Sequence, residues 1–386
     1  MTPIEVTQDT LPPLKRGHPW VYTSGLADPN ALPPPGSPVQ LVDHRGKRIG
    51  FGLADDGPIA VRVLERHPEP LPALITRRLN DAAEARSTLI PHETDAYRVV
   101  NGEGDGLSGL IVDRYSDTWV VRLYSQAWVP HLGTIVDCLS QRDEVSTVIR
   151  RLGVRRVDGS EGAETLYGPE AREPIVVREA GLRFIARPLT GQKTGLFLDQ
   201  REHRIRMARH SAGATLINLF AYNGGFSVHA AAGGAKHVTS VDIAEGALED
   251  ARENFRLNGL DPSLHRFVAA DVFKWTPDHP ADVVICDPPS LTHGKAADEN
   301  ARRVYRDLAQ RSATMVRPGG LLASASCTAR LSWDRWEQSV REGVGRTARW
   351  SWLWRAAEPP DHPVAMGHPE GRYLKFALLR RHPSRY

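Results

Sequence analysis

The chain has 386 residues, 41% hydrophobic and 25% charged, with a formal net charge of +3. That length allows two or three domains that each bury a core. No apolar stretch reaches membrane-spanning length, so the composition reads as soluble and globular and excludes a helical membrane protein.

The N-terminus, MTPIEVTQDTLPPLKRG, lacks the apolar core of a secretory signal and points to a cytoplasmic location. Cys138, Cys286 and Cys327 provide neither a disulfide framework nor a zinc-ligand spacing. A charge of +3 creates no strong global field, so charge alone does not establish a nucleic-acid partner. Only seven of the 49 basic residues are Lys. Arginine suits phosphate and base stacking, but an arginine-rich genome would give the same bias.

Up to about Arg66, the runs VYTSGL, VQLVDHRGKRIGFGLA and IAVRVLE alternate with Gly, Pro and Asp and predict a small β-barrel. The Pro-punctuated ERHPEPLPA marks a boundary near residue 67, followed by a helix over Leu74 to Leu89. LSGLIVDRY (107–115) and TWVVRLYS (118–125) predict a hairpin through Ser116-Asp117, with a helix over Pro130 to Leu139 leading to the strand STVIRR (146–151). The acidic Gly-Glu-Gly-Asp-Gly stretch (102–106) reads as turn chemistry rather than as a catalytic loop.

From about Ile175 strands and helices alternate. Leu182 to Ile185, INLF, HVTSVD, HRFVAAD, DVVICD, LLASAS and YLKFALLRR read as strands, and Ala244 to Asn258 is the clearest helix. This alternation predicts a doubly wound, mostly parallel α/β sheet.

TLINLF (215–220) runs into a turn, Ala221-Tyr222-Asn223-Gly224-Gly225, which opens a small-residue helix. A Gly pair at such a junction lets a ligand approach the backbone. The strand His237 to Val241 ends in Asp242, about 20 residues after the turn, a separation that suits a ribose-binding carboxylate. Asp271-Val272-Phe273 follows the next strand and can supply an adenine slot, Asp271 for the amino group and its neighbours for the ring faces. Helix capping is the competing reading for both aspartates. The turn is not G-x-G-x-x-G, which disfavours a pyrophosphate cofactor such as NAD.

Asp287-Pro288-Pro289 follows ADVVIC and emerges where open α/β sheets bind ligands, its prolines leaving carbonyls without N–H donors. Cys327 stands just past the next strand and faces the same crevice, whereas Cys286 and Cys138 read as packing.

These motifs resemble the class I S-adenosylmethionine-dependent methyltransferases. More narrowly, the chain is similar to bacterial enzymes with an N-terminal PUA domain that make 5-methylcytidine in large-subunit ribosomal RNA. The resemblance spans nearly the whole chain through RGHPWVY (16–22), YRVVNGEGDGLSGLIVDRY (97–115), GQKTGLFLDQR (191–201), Asp287-Pro288-Pro289-Ser290, Ser326-Cys327-Thr328, DHPV (361–364) and PEGRYLK (369–375). It implies a PUA-like RNA-binding domain at 1–67, a central α+β RNA-recognition domain at 68–174, and a Rossmann-like methyltransferase domain at 175–386.

The resemblance further implies that S-adenosylmethionine is held by Phe220, Ala221, Tyr222, Asn223, Gly224, Asp242, Ile243, Asp271, Val272, Asp287, Gln200 and Arg201, and that RNA meets Lys193, Asp199, Pro288, Pro289, Ser290 and Arg16. Cys327 is the expected nucleophile, adding to C6 of cytosine so that C5 can accept a methyl group, with Asp287 holding the base. Leu291 departs from the aromatic residue the family often carries there, which leaves the base-stacking partner unassigned. The target must be flipped from its stack, so further RNA contacts are expected, with Arg302, Arg303 and Arg306 on a helix as candidates or as a solvated face. Alternatives are a guanine N-methyltransferase of the same fold, which would not need Cys327, and a noncatalytic RNA-binding or ribosome-assembly factor. A small-molecule methyltransferase would leave the N-terminal domains unexplained. The oligomeric state stays open, a homodimer included, as does the choice between naked rRNA and a ribosomal particle.

Overall fold

The computed structural model describes residues 1–291 and 297–383, without the side chains at 297 and 298. Its contacts divide into two compact units: residues 1–178, 186–198 and 360–371 in the first, and 179–185, 199–359 and 372–386 in the second.

The first unit holds two five-stranded sheets. One is built from Thr2–Glu5, Pro38–Val42, Arg48–Ala54, Ile59–Glu65 and Trp20–Tyr22, in that spatial order, around a core that includes Val21, Val39, Leu41 and Val61. The other runs Ala163–Tyr167, Thr147–Arg151, Thr118–Leu123, Leu110–Tyr115, Ala96–Asn101. The helix Leu71–Leu89 shares its core through Leu74, Ile75 and Leu79, and the helix Leu132–Ser140 through Ile135 and Leu139.

Polar contacts cross residue 67. The Trp20 indole donates to Glu103 (2.9 Å) and Ser108 (3.0 Å), and Arg62, held on its own side by Asp55 (2.7 Å), reaches across to Ser108 (3.1 Å). Asp105 takes two 2.7 Å bonds from the buried Arg86. The acidic Gly stretch is therefore a short 3-10 turn whose carboxylates are held in place by tryptophan and arginine, as turn chemistry required.

The second unit is built on a seven-stranded sheet. Its elements are β1 (Thr215–Leu219), α1 (Gly225–Ala232), β2 (His237–Asp242), α2 (Glu245–Leu257), β3 (Arg266–Ala269), β4 (Ala281–Cys286), α3 (Ala297–Thr314), β5 (Val316–Ser326), α4 (Trp333–Gly345), β6 (Trp350–Ala356) and β7 (Lys375–Arg381). The spatial order is β3-β2-β1-β4-β5-β7-β6. The first five strands are parallel, and β7 runs antiparallel to both β5 and β6. Buried apolar runs such as Val283-Val284-Ile285 suit strands covered on both faces. Helix α3 turns Ala301, Tyr305, Leu308, Ala309 and Ala313 inward at helical spacing. It meets α4 so closely that a Cβ on Gly343 would fall 2.2 Å from the Arg306 carbonyl.

Strand order reverses between β1 and β4, the switch point where sheets of this type open a crevice. Leu219 is level with both Val241 and Cys286, and Cys286 with Ser324. The residues just beyond form one rim: Asp242, Phe220, Asp287 and, a little further out, Cys327.

Candidate active site

On one side of the switch point the backbone turns sharply after β1. Phe220 and Tyr222 have φ of 59° and 49°, left-handed values uncommon for residues with side chains, and Gly224 follows at 78°. Asp242 supports this turn. One carboxylate oxygen accepts the Tyr222 N–H at 2.8 Å and the other the Ala244 N–H at 2.9 Å, which fixes the group at the crevice mouth. Asn223 is buried and bonds the Ile185 carbonyl, while its own carbonyl takes the Asn254 amide. Ala221 is buried beside them.

The Gly pair is also required by packing against the protein itself. A Cβ on Gly224 would sit 2.9 Å from the Ala251 Cβ of α2, and one on Gly225 would sit 2.9 Å from Cδ of Arg204. The glycines let α1 pack against neighbouring protein. Arg204 is buried with Glu179, bonding it through two guanidinium nitrogens, and His229 reaches the same carboxylate at 2.9 Å.

Beyond β2 and β3, Ile243 is 76% exposed and Phe273 is 47% exposed. Phe273 meets Phe220 edge-on at 5.9 Å. Asp271 caps its own loop through the Phe273 N–H at 2.9 Å. Val272 is buried in the core, and Phe273 keeps an exposed face.

On the other side of the switch point, Asp287 is half-buried, Pro288 buried, and Pro289 and Ser290 exposed. Gln200 donates to Asp287 at 2.9 Å, and its carbonyl oxygen lies 2.6 Å from Nδ1 of His203. Burial holds the His203 imidazole down to about 3, so the ring is neutral, and it stacks on Phe376 at 4.3 Å. Cys327 is half-buried, whereas Cys286 is 3% exposed and burial pushes its thiol up to about 12. Thr328 ties the two loops together, its hydroxyl receiving the Leu291 N–H at 3.4 Å and lying 2.9 Å from the Tyr305 hydroxyl. Burial raises the Tyr305 phenol well above its usual range, and Cys327 and Asp287 act on it in the same direction.

Asp199 and Arg201 lie inside the protein, the first receiving the Tyr373 hydroxyl at 2.7 Å and the second bonding Glu202 at 3.3 Å. They flank Gln200 and offer little surface. Lys193 belongs to the first unit, where its ammonium lies 4.7 Å from the Phe197 ring centre, and Arg16 is exposed in the same unit. Of the α3 arginines, Arg302 pairs with Glu299 and Glu342, Arg306 pairs with Asp307, and Arg303 is exposed. His203, Tyr305 and Lys375 complete the surroundings of Asp287 and Cys327 and were not assigned from sequence. The one local signal was a lysine opening an apolar strand, in KFALL.

Among the described residues no helix is long and apolar enough to cross a membrane. The model of an S-adenosylmethionine-dependent methyltransferase family matches residues 146–367, and that of a PUA-like domain matches residues 4–66. A ribosomal RNA large subunit methyltransferase of Deinococcus radiodurans is 40% identical, over 95% of this chain and 94% of that one. The ribosomal RNA large subunit methyltransferase I of Tolumonas auensis is 32% identical, over 98% and 99%. A solved structure, a candidate methyltransferase complexed with SAH, superposes with a TM-score of 0.87 at 25% identity, covering 98% of this chain and all of that one.

Proposed function

The chain belongs to the S-adenosylmethionine-dependent methyltransferase family, and on that premise we propose that it forms 5-methylcytidine in large-subunit ribosomal RNA through a Cys327 adduct. The observation that carries this reading is a half-exposed thiol on the same sheet rim as the Asp-Pro-Pro carboxylate, while Cys286 and Cys138 are buried. Relatives of 40% and 32% identity that match over at least 94% of both chains are named for large-subunit ribosomal RNA, which supports the choice of substrate.

The crevice suits the methyl donor. The Asp242 carboxylate is aimed by two backbone N–H groups, and the exposed Ile243 and Phe273 provide apolar cover for a purine on a site with no cluster of phosphate-binding glycines. When bound, S-adenosylmethionine supplies the electrophilic methyl group that C5 takes.

The chain's own residues prepare the base. Cys327 gives up its proton and its sulfur bonds to C6, shifting the C5–C6 pair so that C5 becomes electron-rich. Asp287, oriented by Gln200, holds the N3 side of the ring and favours the protonated adduct. After methyl transfer the C5 proton is lost, the S–C6 bond breaks and the thiolate is regenerated. Pro288, Pro289 and Ser290 offer carbonyls and surface to the flipped base, and Leu291 stands where an aromatic ring would stack. We assign RNA contacts outside the crevice to the PUA-like segment, including Arg16, and to the central segment, and a substrate contact to Lys193.

The test is nucleoside mass mapping of large-subunit rRNA incubated with the full chain and methyl donor. A new 5-methylcytidine supports the proposal. Methylated guanosine, with cytidine unchanged, overturns it in favour of the N-methyltransferase.

A further inference from the structure

Lys375 opens β7 and is 1% exposed, which is unusual for a lysine. Its ammonium donates to the carbonyls of Thr328 and Tyr373, both at 2.9 Å. In the β5–β7 ladder Lys375 lies directly opposite Ser326. It therefore pairs with the residue before Cys327 and bonds the residue after it. The Thr328 amide is fixed on the Ser326 hydroxyl at 3.2 Å and its own hydroxyl meets Tyr305, so the segment carrying Cys327 is pinned from three sides.

Two neutral carbonyls do not balance a buried cation. Among the described residues no carboxylate lies within ion-pair distance of Lys375. The charged and titratable groups acting on this corner are Glu358, whose carboxylate accepts the N–H groups of Tyr373 and Leu374, Cys327 just after β5, Tyr305 from α3, and Asp287 from the loop after β4. Glu358 and Cys327 both favour the charged form of the lysine, and burial opposes them. Tyr305 is held protonated.

We propose that Lys375 is a positioning residue for the nucleophile: it clamps the Thr328 carbonyl and supplies the positive charge beside which the Cys327 thiol loses its proton to solvent and rests as thiolate. The inference rests on the reading of Cys327 as nucleophile, since it gives that thiol its reactive form. Burial draws the Lys375 ammonium down to about 8, so the charge that favours the thiolate fades above that range.

The experiment follows the pH dependence of Cys327 alkylation by iodoacetamide in the full chain, with the modified peptide quantified by mass spectrometry. The buried Cys286 and Cys138 act as internal controls. In this reaction the thiolate sulfur displaces iodide, so the rate reports the thiolate fraction without RNA or methyl donor. Lys375→Met should raise the midpoint by at least one unit, which is about tenfold less thiolate at a fixed pH below it. Lys375→Arg should stay near wild type. A Lys375→Met profile that superimposes on wild type overturns the proposal.

Should Lys375→Met fail to fold, the coupling is read from the other partner in chains carrying 13C-labelled lysine. The Lys375 midpoint should fall in Cys327→Ser relative to wild type, because a neighbouring negative charge has gone. An unchanged midpoint also overturns the proposal. If the pair is coupled but Cys327→Ser still methylates RNA, the adduct reading fails and the ion pair stands.

Discussion

The side-chain amide of Gln200 donates a 2.9 Å hydrogen bond to Oδ1 of Asp287, and its carbonyl oxygen lies 2.6 Å from the Nδ1 of His203. With the NH2 group committed to the carboxylate, Gln200 must present its oxygen to His203, which requires a hydrogen on that ring nitrogen. The buried neutral imidazole thus fixes the amide, and the amide fixes the carboxylate that we propose holds the target base.

Gln200→Leu removes a hydrogen bond to a charged group. Such bonds contribute about 1.5–3 kcal/mol, so methylation should slow by roughly ten- to a hundredfold with the fold intact. Single-turnover kinetics at saturating methyl donor check this. An unchanged rate would mean that Asp287 needs no orientation from Gln200.

Asp242→Ala should weaken S-adenosylmethionine binding about ten- to a hundredfold, because it removes the expected ribose partner and also frees the Tyr222 and Ala244 N–H groups that hold the turn. Calorimetric titration of the folded variant reads the loss. Affinity equal to wild type would remove Asp242 from the cofactor site.

Gly224→Ala places a methyl group 2.9 Å from the Ala251 Cβ at a φ of +78°, where an L side chain is already strained. Overpacking of this kind costs about 1–3 kcal/mol, which denaturant unfolding resolves. Gly246→Ala, in α2 with open space around it, is the control and should be neutral or slightly stabilising. Equal stabilities for the two variants would show that the close approach of α1 and α2 is not needed.

Glu179 gives a pH-dependent prediction. Arg204 and His229 hold its buried carboxyl well below the usual carboxylate range despite burial. Its contribution to stability is therefore complete above the unfolded-state value, about 4.3, and is lost as pH falls towards the depressed folded value. Glu179→Gln should be less stable by about 3–5 kcal/mol near neutrality, and the gap should narrow below about pH 4. Denaturant melts over a pH series test it, and a gap that stays constant into acid would contradict the assignment.

The rim that carries the candidate site was legible in the sequence because its residues fall at strand ends. The apolar runs before Phe220, Asp242, Asp287 and Cys327 gave parallel strands whose carboxyl ends had to share a rim. What local pattern could not show was the back of the sheet. YLKFALLRR reads as another strand, but neither its place between β5 and β6 nor its antiparallel direction is marked in the local pattern. The edge strand WSWLWRA, half-buried and exposed on alternate residues, was not recognised despite its period of two. The packing role of Gly224 and Gly225 had no local signal, because their neighbours Ala251 and Arg204 are remote in sequence. Lys375 reaches Thr328, and His203 stacks on Phe376, only through the tertiary fold, so the sequence around each carried little signal of these contacts.

The most direct test of the Cys327 adduct uses large-subunit rRNA carrying 5-fluorocytidine, whose fluorine cannot leave as a proton does and so blocks release of the sulfur. Wild type and Cys286→Ala should form a denaturation-resistant complex with this RNA in the presence of S-adenosylmethionine, with the crosslink mapped to Cys327, and Cys327→Ala should form none. A Cys327→Ala protein that is trapped as well as wild type, or that methylates unmodified RNA at the wild-type rate, would contradict the adduct mechanism.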